Sequence, residues 1–141
     1  MSGAARHFRQ MRQMMPALKI EIVNQVIAVE AGKFHQDNFR ARKWTDTGTA
    51  WKPRKDGDTS RALLVKTGRL RRTATRGRIQ GDAVKFVMPI YGQVHNEGGR
   101  AGRGAGFRMP RRQFAGEARI LKARFRRKAQ LIITRRLNRI R

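Results

Sequence analysis

The chain has 141 residues, no cysteine, and 34 Lys+Arg against 9 Asp+Glu, for a net charge of +25. That length suggests one domain with a modest core, and the missing cysteines exclude a disulfide framework or a thiolate metal site. A charge so far from zero repels itself at low salt and favours polyanions or acidic partners.

Residues 1–16 read as a basic arm with Arg6, Arg9 and Arg12 and a methionine patch at Met11, Met14 and Met15. No continuous apolar region follows the start, so no secretory signal is expected. No stretch approaches the roughly 20 apolar residues of a membrane span. A soluble protein made in a reducing cytoplasm is the expectation. Pro16 suits the first turn of a helix, where its missing N–H costs nothing. Beyond it, Leu18, Ile22, Val26 and Val29 share one helical face, and Ile20, Val23, Ile27 and Ala31 share a second. The pattern predicts a helix over 17–31, buried on two sides. Gly32 costs a helix about 1 kcal/mol relative to Ala, so continuation to Phe34 and Phe39 is left open.

Residues 40–62 read as a polar loop flanked by Trp44 and Trp51, which are expected to pin it to the body. Thr67 suits an N-cap, with one or two helical turns after it. The stretches 74–79 and 84–88 predict an antiparallel hairpin turning at Gly81-Asp82 and stopped by Pro89. Tyr91, Val94 and His95 share a helical face, and Gly98-Gly99 ends that helix. Residues 98–108 are low in complexity and read as a flexible loop. A basic helix is predicted over 117–138, with Leu121, Phe125, Ala129, Ile132 and Ile140 on its apolar face and an interruption at Arg136. If helical from 117 to 140 it is about 36 Å long, more than a domain this size needs, so its end is expected to reach a neighbour. Glu117 is expected in its first turn, where a negative charge suits the dipole.

Little here points to catalysis. His7, His35 and His95 lie far apart and lack the i, i+3 or i+4 companions of a metal pair. His95 reads as a partly buried helical histidine that donates a hydrogen bond. The few carboxylates do not converge as an acid–base pair. Neither Ser2 nor Ser60 has a nucleophile-elbow context. Gly102-Arg103-Gly104-Ala105-Gly106 lacks the strand before it and the lysine after it that a phosphate cradle needs. The expectation is a protein that is not an enzyme and holds no cofactor or metal. Its basic residues suit either nucleic-acid backbone contact or a subunit whose basic faces meet acidic neighbours.

Four segments occur in order: Trp51-Lys52-Pro53-Arg54, then Leu64-Val65-Lys66-Thr67-Gly68-Arg69-Leu70-Arg71, then Tyr91-Gly92-Gln93-Val94-His95-Asn96-Glu97-Gly98-Gly99, then Pro110-Arg111-Arg112-Gln113-Phe114-Ala115-Gly116. Over residues 18–125 this series resembles the tailed-phage virion morphogenesis family, the tail-completion or head–tail joining proteins. Gly92 departs from the family's usual Ala, and Arg112-Gln113 from its commoner Arg-Pro. The resemblance implies an α+β subunit in which a long N-terminal helix packs on a small antiparallel sheet, with a short helix and a long basic C-terminal helix. It implies a homo-oligomeric ring at the head–tail junction or tail end of a virion. It carries no catalytic residues.

The organisation expected is a basic arm at 1–16, a tail-completion-like domain at 17–125 and a basic helical extension at 126–141. Leu64, Leu70, Tyr91 and Phe114 are expected in the core. Expected subunit contacts are Trp44, Trp51, Arg54, Arg100, Arg103, Phe107 and Arg108. Expected sites for a polyanion or acidic partner are Arg124, Arg127, Lys128, Arg135, Arg136 and Arg139. Reversing Arg127, Lys128 and Arg135 to Glu is expected to spare the fold, because exposed charges contribute little. Partners implied are other neck, connector or tail-tube proteins and packaged DNA near the lumen, with no membrane. The competing reading is a basic nucleic-acid-binding protein of ribosomal or nucleoid type.

Overall fold

The structure is a computed structural model that describes residues 3–140. Residues 1, 2 and 141, parts of the expected arm and extension, lie outside the described residues. The chain is mixed helix and strand. Helices α1 (Gly3–Ile22) and α2 (Ala28–Ala41) are joined through a π-helical segment, Val23–Ile27, into one long rod. Helices α3 (Arg69–Thr75), α4 (Ile90–Glu97) and α5 (Arg119–Asn138) follow. Among the described residues six short strands pair as three separate antiparallel ribbons: β1 (Lys43–Trp44) with β2 (Thr49–Ala50), β3 (Arg78–Gln80) with β4 (Ala83–Lys85), and β5 (Gly99–Ala101) with β6 (Phe107–Met109).

Several sequence expectations shift here. Pro16 lies inside α1 rather than at a helix start. Its missing N–H removes one bond of the ladder, but the helix-forming run around it carries the rod through. The π segment is closed by the Ala28 amide donating to the Val23 carbonyl, five residues back. One wider turn shifts the phase of the buried stripe, which runs Leu18, Val23, Val26, Glu30, Phe34 and Asn38. Val29, expected on the buried face, is therefore exposed, as is Ile20.

α2 is the spine. On one side Phe39 meets Trp51 edge-on and lies against Phe114, joined by Leu70, Ala74 and Ala115. On the other side Phe34 meets Trp44 edge-on, joined by Ala31, Ala118 and Leu121. Gly32 lets α3 come close: a Cβ there would stand 2.4 Å from the Thr75 carbonyl oxygen. The 74–79 strand begins only at Arg78, because residues 74 and 75 extend α3. Its turn at Gly81-Asp82 is as expected, with Gln80 opposite Ala83.

The same crossing buries His35, whose Nδ1–H donates to the Ala74 carbonyl at 2.6 Å. The ring also packs edge-on against Phe86. Burial holds this histidine below its ordinary value of 6.5, and the carbonyl bond only partly opposes that. The folded state thus binds fewer protons than the unfolded chain. The stability is fully present above about pH 6.5 and is lost as pH falls toward the depressed folded value. We expect the melting temperature to drop between pH 7 and pH 5, and His35→Gln to flatten that dependence. An unchanged slope in the variant would contradict the assignment.

Candidate interaction surface

The segment 112–115 ties the fold together. Asn96, on α4, accepts from the Phe114 amide at 2.9 Å and the Ala115 amide at 3.0 Å, and donates to the Ala115 carbonyl at 3.0 Å. Asn38, on α2, donates to the Phe114 carbonyl at 3.1 Å and accepts from both the amide and hydroxyl of Thr45. Trp51 donates its indole N–H to the Gln113 carbonyl at 2.8 Å. The Arg112 amide donates to the His95 carbonyl at 2.8 Å. The Arg112 side chain, 7% exposed, donates to the Lys52 carbonyl at 2.8 Å and the Pro53 carbonyl at 3.1 Å. Burial, and then nearby Arg54, hold its pKa below the ordinary arginine value.

This hub brings two expected loops side by side. The segment 52–56 faces the β5–β6 hairpin across an open groove of about 1090 Å³. Lys52, Lys55, Arg108 and Arg111 line it against only Asp56 and Glu97. Residues 98–108 are therefore not a structureless loop. Arg100 pairs with Arg108 and Ala101 with Phe107, and glycines take the turn. A Cβ on Gly106 would stand 2.6 Å from the Ala101 carbonyl oxygen, and its φ is 61°.

The expected contact residues divide. Arg100, Arg103, Phe107 and Arg108 are exposed on the hairpin, with Phe107 54% exposed. Trp44 and Trp51 are buried and belong to the core, so they present no surface. Arg54 is turned into its own loop, donating to the carbonyls of Asp58, Arg61 and Ala62. Of the expected core residues, Leu70 and Phe114 are buried and Leu64 half-buried, but Tyr91 is exposed beside a 410 Å³ pocket. His95 lines that pocket; its Nδ1 is buried without a hydrogen-bond partner among the described residues, so it makes no ring Nδ1 donation.

The basic helix changes role most. α5 lies antiparallel along the rod, and three of its expected partner-facing cations pair with acids of their own chain. Lys128 meets Glu30, whose side chain is 5% exposed; Arg136 meets Glu21 at 2.6 Å; Arg124 lies 3.8 Å from Asp37. The interruption at Arg136 is thus an ion pair in the α1–α5 seam. The helix end does not project free of the body. Arg127, Arg135 and Arg139 remain exposed with no partner among the described residues. Glu117 precedes α5, whose N-cap is Ala118, and pairs with Lys122 at 2.9 Å. The vacant first-turn position is filled by Asp46, which accepts from the Ile120 amide at 2.9 Å. That bond depresses the Asp46 pKa.

Each of the 9 acids faces a group of its own chain. Asp82 pairs with Lys19 at 2.5 Å. Asp56 and Asp58 accept turn amides, and Glu97 lies 3.5 Å from the Gln93 amide. Against 34 Lys+Arg, this leaves no acidic face. Among the described residues no group of three or more His, Cys, Asp or Glu could hold a metal ion, and no helix is long and apolar enough to cross a membrane. Sequence reasoning missed Asn38 and Asn96, because a buried polar clamp leaves no periodic signal. Comparison with known protein families, curated proteins and solved structures finds no match for this chain.

Proposed function

We propose that the chain is a structural subunit of a tailed-phage virion, forming a ring at the neck or the tail end. The observation that supports this most is the joining of the four resembling segments into one unit. Trp51 bonds to Gln113, Arg112 to Lys52 and Pro53, and Asn96 to Phe114 and Ala115. Leu70 packs in the same cluster as Trp51 and Phe114. Side chains shared among those segments are spent on internal bonding, while the groove and the β5–β6 hairpin are left facing outward. That suits a scaffold which presents loops to neighbours. A ring needs a heterologous contact, in which one face meets a different face of the next copy. The β5–β6 hairpin, itself one wall of the groove, would meet a different face of the next copy.

The charge adds a condition. With its acids engaged internally, one copy offers the next no acidic face. Contacts between copies then rest on shape and apolar area, and negative charge comes from other virion proteins or from DNA. Deleting 102–106 removes only the hairpin turn and none of the core. The deleted protein is expected to keep its helical circular dichroism and to fail in joining heads to tails or finishing tails. Normal particles from the deletion would overturn the assigned role of the hairpin.

A further inference from the structure

The described surface holds a third basic feature, separate from α5 and from the hairpin groove. Where α2 ends against α3, beside the segment 61–67, lies a cleft of about 470 Å³. Arg40 and Arg42 enter it from the end of α2, and Arg71, Arg72 and Arg76 from α3 and the residue after it. No carboxylate lines it. Arg72 donates to the Thr67 carbonyl at 3.2 Å. The guanidinium groups of Arg40, Arg42, Arg71 and Arg76 have no hydrogen-bond or ion-pair partner among the described residues. Among the described residues Lys19, Lys122, Arg124, Lys128 and Arg136 pair with acids; in the cleft like charges crowd together with none.

Guanidinium groups are planar donors whose fork matches phosphate oxygens two at a time. The apolar floor of the cleft, Phe39, is buried, and Ala62 and Val65 are half-buried. No exposed aromatic anchor is present to form the centre of a protein–protein contact. None is present for base stacking either. What remains is contact with a phosphate backbone, which positions a nucleic acid without reading its bases. We propose that this cleft is a sequence-independent nucleic-acid site that grips the phosphodiester backbone. The proposal stands apart from the virion reading, since it concerns the isolated chain and makes no use of a ring.

The test is fluorescence anisotropy of the full chain with a short random-sequence DNA duplex over a range of salt. Each phosphate neutralised contributes about 0.9 to the slope of log affinity against log salt. Arg40→Gln/Arg71→Gln/Arg76→Gln should lower the slope by about 2 to 3, and Arg40→Gln and Arg76→Gln singly by about 0.9 each. The single variants keep the test valid if the triple one misfolds. Arg6→Gln/Arg9→Gln/Arg12→Gln removes the same charge from exposed positions on α1 and should leave the slope nearly unchanged. Equal losses in the two triple variants would mean diffuse attraction by the whole surface and would overturn the site. So would a cleft variant that binds DNA normally but loses affinity for polyglutamate.

Discussion

Replacing Asn38 with leucine is expected to lower the melting temperature by about 10 °C, the largest effect of any single polar substitution in this fold. Asn38 is fully buried, at 0% exposure. Its amide spans three chain segments: α2 itself, Thr45 just after β1, and the Phe114 carbonyl. Leucine has nearly the right volume, so the cavity effect is small. The cost comes from leaving the Phe114 carbonyl and the Thr45 amide without partners. Each such group costs about 1–3 kcal/mol, giving roughly 4 kcal/mol in all. Asn38→Asp separates the two halves: it keeps the acceptor for Thr45 and loses the donor for Phe114, with a buried charge added. Thermal melts of both variants check this. A drop of under about 2 °C for the leucine variant would show that water or a local shift satisfies both groups.

The second large effect is expected at Lys128, which the sequence alone groups with Arg127 and Arg135 as interchangeable surface charge. Lys128 is 47% exposed in its side chain, but its partner Glu30 is almost wholly buried. Lys128→Glu would set two carboxylates together with one of them cut off from water. Breaking a fully buried pair costs about 3–5 kcal/mol. The half-exposed lysine is screened by solvent, which brings the expectation to about 2–3 kcal/mol. Arg127→Glu touches no partner and should stay within about 0.5 kcal/mol. Urea titrations of the two single variants read the difference directly. Equal stabilities would place Glu30 in contact with water and remove the pair from the seam. The earlier expectation that reversing Arg127, Lys128 and Arg135 together spares the fold is corrected at this one position.

What was legible follows from the range of the signal. Local signals worked: the Gly81-Asp82 turn, the glycine that ends α4, and the apolar spacing of Leu121, Phe125 and Ala129 in α5. Signals depending on distant partners did not. Glu21 and Arg136 are 115 positions apart, so nothing near either one marks the pair. The π segment was hidden because apolar residues lie on both faces of the rod, and a one-residue phase shift leaves the composition of each face similar. Glycine in 98–108 suggests flexibility by composition, yet it supplies the positive φ that closes a paired hairpin. The arginine cleft was hidden differently. Arg40 and Arg42 belong to one helix end, Arg71 and Arg76 to another stretch, and only the α2–α3 crossing brings them together.

Cryo-electron microscopy of a purified tailed virion made with this chain tests its proposed place in the particle. Density for several copies closed into a ring at the head–tail junction or the tail end is the expected result. The long α1–α2 rod and the antiparallel α5 should be recognisable in each copy, with the β5–β6 hairpin against the next subunit. A complete particle whose neck and tail densities are filled by other chains, with no ring that accepts this fold, would contradict it.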